Sequence, residues 1–96
     1  MQENIAELKE GELLQNIPNP FSGTTQIWYK LKKGSNIQLN VYNHTGQLIK
    51  SFDEGKKVEG THYIEFNAGS LNNGLYFYSI SINGKRTDSK KMTIMK

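Results

Sequence analysis

The chain contains no cysteine and only two prolines. Without cysteine there is no disulfide framework and no thiolate-ligated metal centre. A chain of 96 residues must then be held together by a single apolar core, with little room for a second. Both prolines, Pro18 and Pro20, stand near the start, where a missing N–H is tolerated at the entry to a sheet. No apolar run approaches the roughly 18 residues of a membrane-spanning helix. Met1-Gln-Glu-Asn also lacks the basic start and apolar stretch of a signal peptide. The chain is therefore expected to be cytoplasmic, or else the tail of a longer exported protein.

Catalytic signatures are missing too. There is no Gly-x-Ser-x-Gly, no phosphate-cradling glycine loop and no His-Glu-x-x-His. His44 falls in a turn pattern. His62 falls on an apolar strand face with no acid or serine partner nearby in sequence, the setting of a hydrogen-bonded core histidine. Asp53, Glu54 and Glu59 lack the alternating spacing of a calcium loop, and Lys56 and Lys57 stand among them. The expectation is a module that is not an enzyme and holds no cofactor and no metal.

Twelve basic and nine acidic residues leave a formal charge of +3. Lys30, Lys32, Lys33, Lys56, Lys57, Lys85, Lys90 and Lys91 are scattered over turns and strands. Diffuse lysines keep a surface solvated and protect strand edges; they do not make a nucleic-acid footprint.

From Leu13 onward the sequence is a series of short alternating runs broken by Gly, Asn and Pro. Over residues 24–31, Ile27, Tyr29 and Leu31 share one face, with Trp28, Lys30 and Lys32 opposite. A Lys33-Gly34-Ser35 turn leads to residues 36–42, with Ile37, Leu39 and Val41 inward. Asn43-His44-Thr45-Gly46 is a hairpin signal, which opens residues 47–52. Asp53 to Lys57 reads as a polar loop. His62, Ile64 and Phe66 line the next inner face. Leu71-Asn72-Asn73-Gly74 is a tight turn before residues 75–82, where Tyr76, Tyr78 and Ile80 point inward. Asn83-Gly84 is the strongest two-residue hairpin signal in the chain. In residues 86–96, Met92 and Ile94 alternate with Lys91 and Thr93, the period of a half-buried strand that runs to the last residue. About seven strands at spacings of about ten residues predict an all-β fold: an antiparallel sandwich of immunoglobulin-like or fibronectin-like type.

The first dozen residues have a different texture. Ile5 and Leu8 are helically spaced, with Gly11 as a stop. Residues 1–12 are read as a linker or the tail of an upstream helix, and residues 13–96 as the domain. Trp28 and Phe77 are predicted outward, and exposed large aromatics mark sugar or protein contacts. They are the candidate contact of a carbohydrate-binding or adhesive module, with packing against neighbouring loops as the plainer alternative. Asn43-His44-Thr45 matches a glycosylation acceptor, a common chance match.

One ordered set of motifs is more specific. Asn16-Ile17-Pro18-Asn19-Pro20-Phe21 opens the domain and Thr25-Gln-Ile-Trp-Tyr-Lys-Leu31 follows. Leu39-Asn-Val-Tyr42, Gly46-Gln-Leu-Ile-Lys50 and Gly60-Thr-His62 come next. Leu71-Asn-Asn-Gly-Leu-Tyr-Phe-Tyr78 and Lys90-Lys-Met92 complete the series. In order, spacing and end position this set resembles the C-terminal sorting domain of the type IX secretion system of Bacteroidetes, from about residue 14 to the end.

That resemblance implies a secretion signal trailing an exported cargo. It implies passage through the periplasm and the type IX translocon, recognition by an outer-membrane shuttle barrel, and a cell-surface sortase that commonly cleaves the domain and anchors the cargo. The terminal segment, Lys90, Lys91, Met92, Thr93, Ile94, Met95 and Lys96, matches the part most associated with recognition. Pro18, Asn19, Pro20 and Phe21 match the opening motif, and family cleavage falls upstream of it, within residues 1–13. Each motif also has a structural role: the prolines restrict φ and bias Ile17 and Asn19 toward extended geometry, while Phe21 plugs the core. Met92 and Ile94 are expected to pack inward, with Lys90, Lys91 and Lys96 facing water or an acidic receptor.

Overall fold

The computed structural model describes residues 10–96. It contains seven strands: β1 Gly11–Leu13, β2 Thr24–Leu31, β3 Ser35–Asn43, β4 Leu48–Lys57, β5 Gly60–Asn67, β6 Gly74–Ile82 and β7 Lys85–Ile94. They form two antiparallel sheets, one ordered β1-β2-β5 and the other β4-β3-β6-β7. The architecture is the immunoglobulin-like sandwich that the strand pattern predicts.

Strand alternation decides which side chains fill the space between the sheets. Ile27, Tyr29 and Leu31 of β2 and Ile64 and Phe66 of β5 meet Ile37, Leu39 and Val41 of β3. Tyr76, Tyr78, Ile80 and Ile82 of β6 and Met92 and Ile94 of β7 complete the layer. Because side chains alternate with period two, a one-residue slip of any strand would expose its whole set, so the register is firmly specified. Phe66 is central: Phe21 and Phe52 each meet it edge-on, with ring centroids 6.2 Å away. His62 lies half-buried on the inner face as expected. Its ring stacks on Tyr29 at 5.4 Å, and its Nε2–H donates to the Val58 carbonyl at 2.8 Å.

The turns follow their chemistry. Asn83 and Gly84 adopt φ of 53° and 83°, the doubly left-handed pair that matches strand twist in a tight hairpin. In the 43–46 turn, Asn43 Oδ1 accepts from the Thr45 amide, the Thr45 hydroxyl and the Gln47 amide. The asparagine of the glycosylation-like triplet thus holds its own turn together.

Two boundaries differ from the sequence reading. The polar loop expected at Asp53 to Lys57 is instead the second half of β4. Ile37 pairs with Gly55 and Gln38 with Asp53, so Glu54 is an extra, unpaired residue. This is a β-bulge, with Gly55 at φ 67°. The bulge breaks the alternation, and the Lys-rich composition conceals the strand. At the other end, the linker boundary drawn at residue 12 cuts through β1, where Gly11 and Glu12 pair with Leu31 and Lys30. The predicted helical turn around Ile5 and Leu8 lies outside the described residues.

Gly11 is there for space rather than for torsion. A Cβ at this position would lie 2.6 Å from the Lys30 carbonyl oxygen and 2.9 Å from Ile82 Cδ1. Gly11→Ala is accordingly expected to destabilise the fold by about 1–3 kcal/mol through overpacking, read from the urea midpoint. A silent substitution would mean that β1 is not part of the sandwich.

Candidate functional site

The two segments singled out in the sequence are joined in the structure. Phe21 and Ile94 form a parallel bridge. The Phe21 amide donates to the Thr93 carbonyl at 3.1 Å, and the Met95 amide donates to the Phe21 carbonyl at 2.9 Å. The Thr93 amide donates to Asn19 Oδ1 at 2.9 Å, and Gln15 Nε2 donates to the Lys91 carbonyl at 2.6 Å. From Lys91 onward, the open side of β7, which would otherwise present unpaired backbone, is thereby closed by residues 15–21. The last residue is tied as well: the Lys96 amide reaches Asn73 Oδ1 and its Nζ the Gly69 carbonyl, both at 2.9 Å.

A buried polar node fixes the opening segment. Asn16 is 1% exposed, and a buried amide needs partners. Its Nδ2 donates to the Pro18 carbonyl and to Thr25 Oγ1, both at 3.1 Å, and the Thr25 hydroxyl donates to the same Pro18 carbonyl at 2.8 Å. The Asn16 amide donates to Tyr78 Oη at 2.9 Å, and that hydroxyl donates to the Leu14 carbonyl at 2.8 Å. Tyr78, on the four-stranded sheet, thus holds the segment that leaves the other sheet. Ile17 exchanges two 2.9 Å backbone bonds with Gln26. Both the Ile17–Pro18 and Asn19–Pro20 bonds are cis. Pro18, Asn19 and Pro20 stand exposed, whereas Phe21 is buried.

The sequence reading singled out the motif but missed the roles of Asn16 and Thr25, and it took Tyr78 as plain core. The available signal was an asparagine two residues before a proline, inside an apolar neighbourhood. Burial pushes the Tyr78 phenol up to about 12; the Asn16 hydrogen bond opposes this and Asp88 reinforces it. Tyr29 is pushed up to about 12 as well, by burial first and Glu54 second.

In the terminal segment Met92 and Ile94 are buried and Lys91 and Lys96 are exposed, as expected, and Met95 is exposed beside them. Lys90 is a correction. It pairs with Tyr78 and shares the side of Met92, so it is half-buried rather than turned to water. An inward-pointing charge is one of the devices that blunts a strand edge. Trp28 and Phe77 both face outward, as expected, but not together. Trp28 lies on the outer face of the three-stranded sheet, stacked on Tyr63 at 4.8 Å. Phe77 lies on the outer face of the four-stranded sheet, so the two rings belong to opposite surfaces of the sandwich. Among the described residues no three His, Asp or Glu side chains gather at a spacing that would hold a metal ion.

A family model described as a secretion system C-terminal sorting domain matches residues 16–95. No match is found among curated proteins. Of solved structures, dimeric latent PorU from Porphyromonas gingivalis superposes with a TM-score of 0.71 at 23% identity, over 88% of this chain and 9% of that one. The alkylpurine DNA glycosylase AlkC of Pseudomonas fluorescens, bound to DNA containing an abasic site analogue, superposes at 0.60 and 14% identity. That alignment covers 91% of this chain and 31% of AlkC. At these identities both are likenesses of fold, and the chain spans less than a third of either protein.

Tyr78→Phe leaves the Leu14 carbonyl and the Asn16 amide without their shared partner. The expected loss is about 1–3 kcal/mol of stability, read by chemical denaturation. A tyrosine whose folded pKa is raised loses its contribution as pH climbs from the ordinary 10.0 through about 12. Alkaline unfolding is therefore expected in that window, and less steeply in Tyr78→Phe. A variant with the wild-type profile would show that the phenol is not held.

Proposed function

The chain belongs to the family of secretion system C-terminal sorting domains, and from that premise we propose that it is a folded export signal read at its terminal strand. The observation that carries this reading is the closure of β7 by residues 15–21. Opening motif and terminal segment, remote in sequence, form one structural unit through Asn19, Phe21, Thr93 and Met95. A receptor that requires this unit distinguishes a folded domain from an unfolded tail, because neither half has this shape alone.

In this reading the module has no reaction of its own. It trails a cargo through the periplasm and directs it across the outer membrane by the type IX route to the cell surface. An outer-membrane shuttle barrel reads the exposed Lys91, Met95 and Lys96 together with Pro18, Asn19 and Pro20. A surface sortase then cleaves within residues 1–13 and anchors the cargo. Lys90, Met92, Thr93 and Ile94 act here by placing their neighbours, since Met92 and Ile94 are buried. The exposed lysines suit an acidic receptor rim, where charge speeds encounter more than it adds affinity.

The test is a periplasmic reporter fused ahead of the domain in a host with type IX secretion. Surface display is expected with the intact chain and abolished by deletion of residues 90–96. Asn19→Ala, which removes the acceptor for the Thr93 amide, is expected to reduce display while the domain stays folded. Continued display after the deletion would overturn the proposal.

A further inference from the structure

The outer face of the four-stranded sheet has features that export does not use. Tyr42 of β3 and Phe77 of β6 are directly opposed in register. With Gly46 and Arg86 they flank a depression of about 200 Å³. A second depression, of about 380 Å³, shares Phe77 and is bordered by Gln15, Ser89, Lys90 and Lys91. The Arg86 guanidinium lies 5.7 Å from the Tyr42 ring centroid, and neither Arg86 nor Lys91 makes an ion pair among the described residues. On the same sheet, two residues along β6 from Phe77, Ser79 sits at an outward register position between Asn40 and Ser89. Its hydroxyl is buried and unpartnered, an arrangement that costs free energy unless something supplies the bond. Alongside runs a polar row in which Gln38 Nε2 donates to Ser51 Oγ, and Ser51 donates to Asn40 Oδ1.

We propose that this face, centred on Phe77 and flanked by Tyr42, Arg86 and Lys91, is a binding site for an acidic saccharide. A pyranose ring offers a C–H face that packs on an aromatic ring and a hydroxyl rim that bonds to amides and hydroxyls. A carboxylate on the sugar satisfies Arg86 in bidentate fashion and Lys91 as a point charge. β3 and β6 are interior strands with their backbone groups paired on both sides. A peptide therefore cannot dock here by adding a strand, which needs an open edge. Recognition must run through side chains, and the side chains present are aromatic, hydroxylic, amidic and cationic. The site goes beyond the sorting role: Tyr42, Phe77 and Arg86 lie outside both the opening motif and residues 90–96, and only Lys91 is shared with the terminal segment.

Calorimetric titration of the 96-residue chain with tetragalacturonate, with neutral maltotetraose and oligoglutamate alongside, tests the assignment. Tetragalacturonate is expected to bind, with the other two far weaker. Tyr42→Ala and Arg86→Gln are each expected to weaken that binding by about tenfold with the fold retained by circular dichroism, and Trp28→Ala to leave it unchanged. Absence of binding overturns the proposal. So does oligoglutamate binding equally well, which would reduce the face to a patch of charge, or an undiminished affinity in Arg86→Gln. Arg86→Gln is expected to keep full surface display, so failure here and failure of the sorting reading are separate results.

Discussion

An edge strand presents an unpaired row of backbone groups, and β7 meets that problem with one returning segment. Residues 15–21 return along β7 and take the Lys91 carbonyl, the Thr93 amide and carbonyl and the Met95 amide. The four-stranded sheet therefore ends in ordered chain, and the terminal segment keeps a definite shape up to Lys96, which is tied to Asn73 and Gly69. Everything proposed for recognition depends on this closure.

The closure in turn depends on a small polar cluster. Asn16, Thr25 and Tyr78 satisfy one another and the carbonyls of Leu14 and Pro18 in an otherwise apolar interior. Inside a medium of low polarizability such a cluster is stabilising only when every member is paired. It links strands from both sheets, so the opening segment cannot shift without unpairing buried groups. Phe21 adds the apolar anchor at the end of the segment, against Phe66.

Much of the fold was legible because it rests on period two. The inward sets of β2, β3, β6 and β7 are the alternating residues of the sequence, and Asn83-Gly84 makes the hairpin its torsions favour. What was not legible has physical reasons. The second half of β4 is hidden because a bulge at Glu54 breaks the alternation, and β1 because three residues carry no period. Trp28 and Phe77 were readable as outward, but their separation onto opposite surfaces was not, because alternation does not tell which of two sheets a strand joins. The bond from Thr93 to Asn19 spans 74 residues, beyond the reach of any local pattern. Met92 and Ile94 were readable as buried; the partner that closes their strand was not.

Amide hydrogen exchange at Thr93 and Met95 tests the closure most directly. These two N–H groups face Asn19 and Phe21 across the outer edge of β7. The account predicts protection comparable to that of the interior strand β6, lost selectively at Thr93 in Asn19→Ala. Exchange of both amides at free-peptide rates, while β6 remains protected, would contradict it.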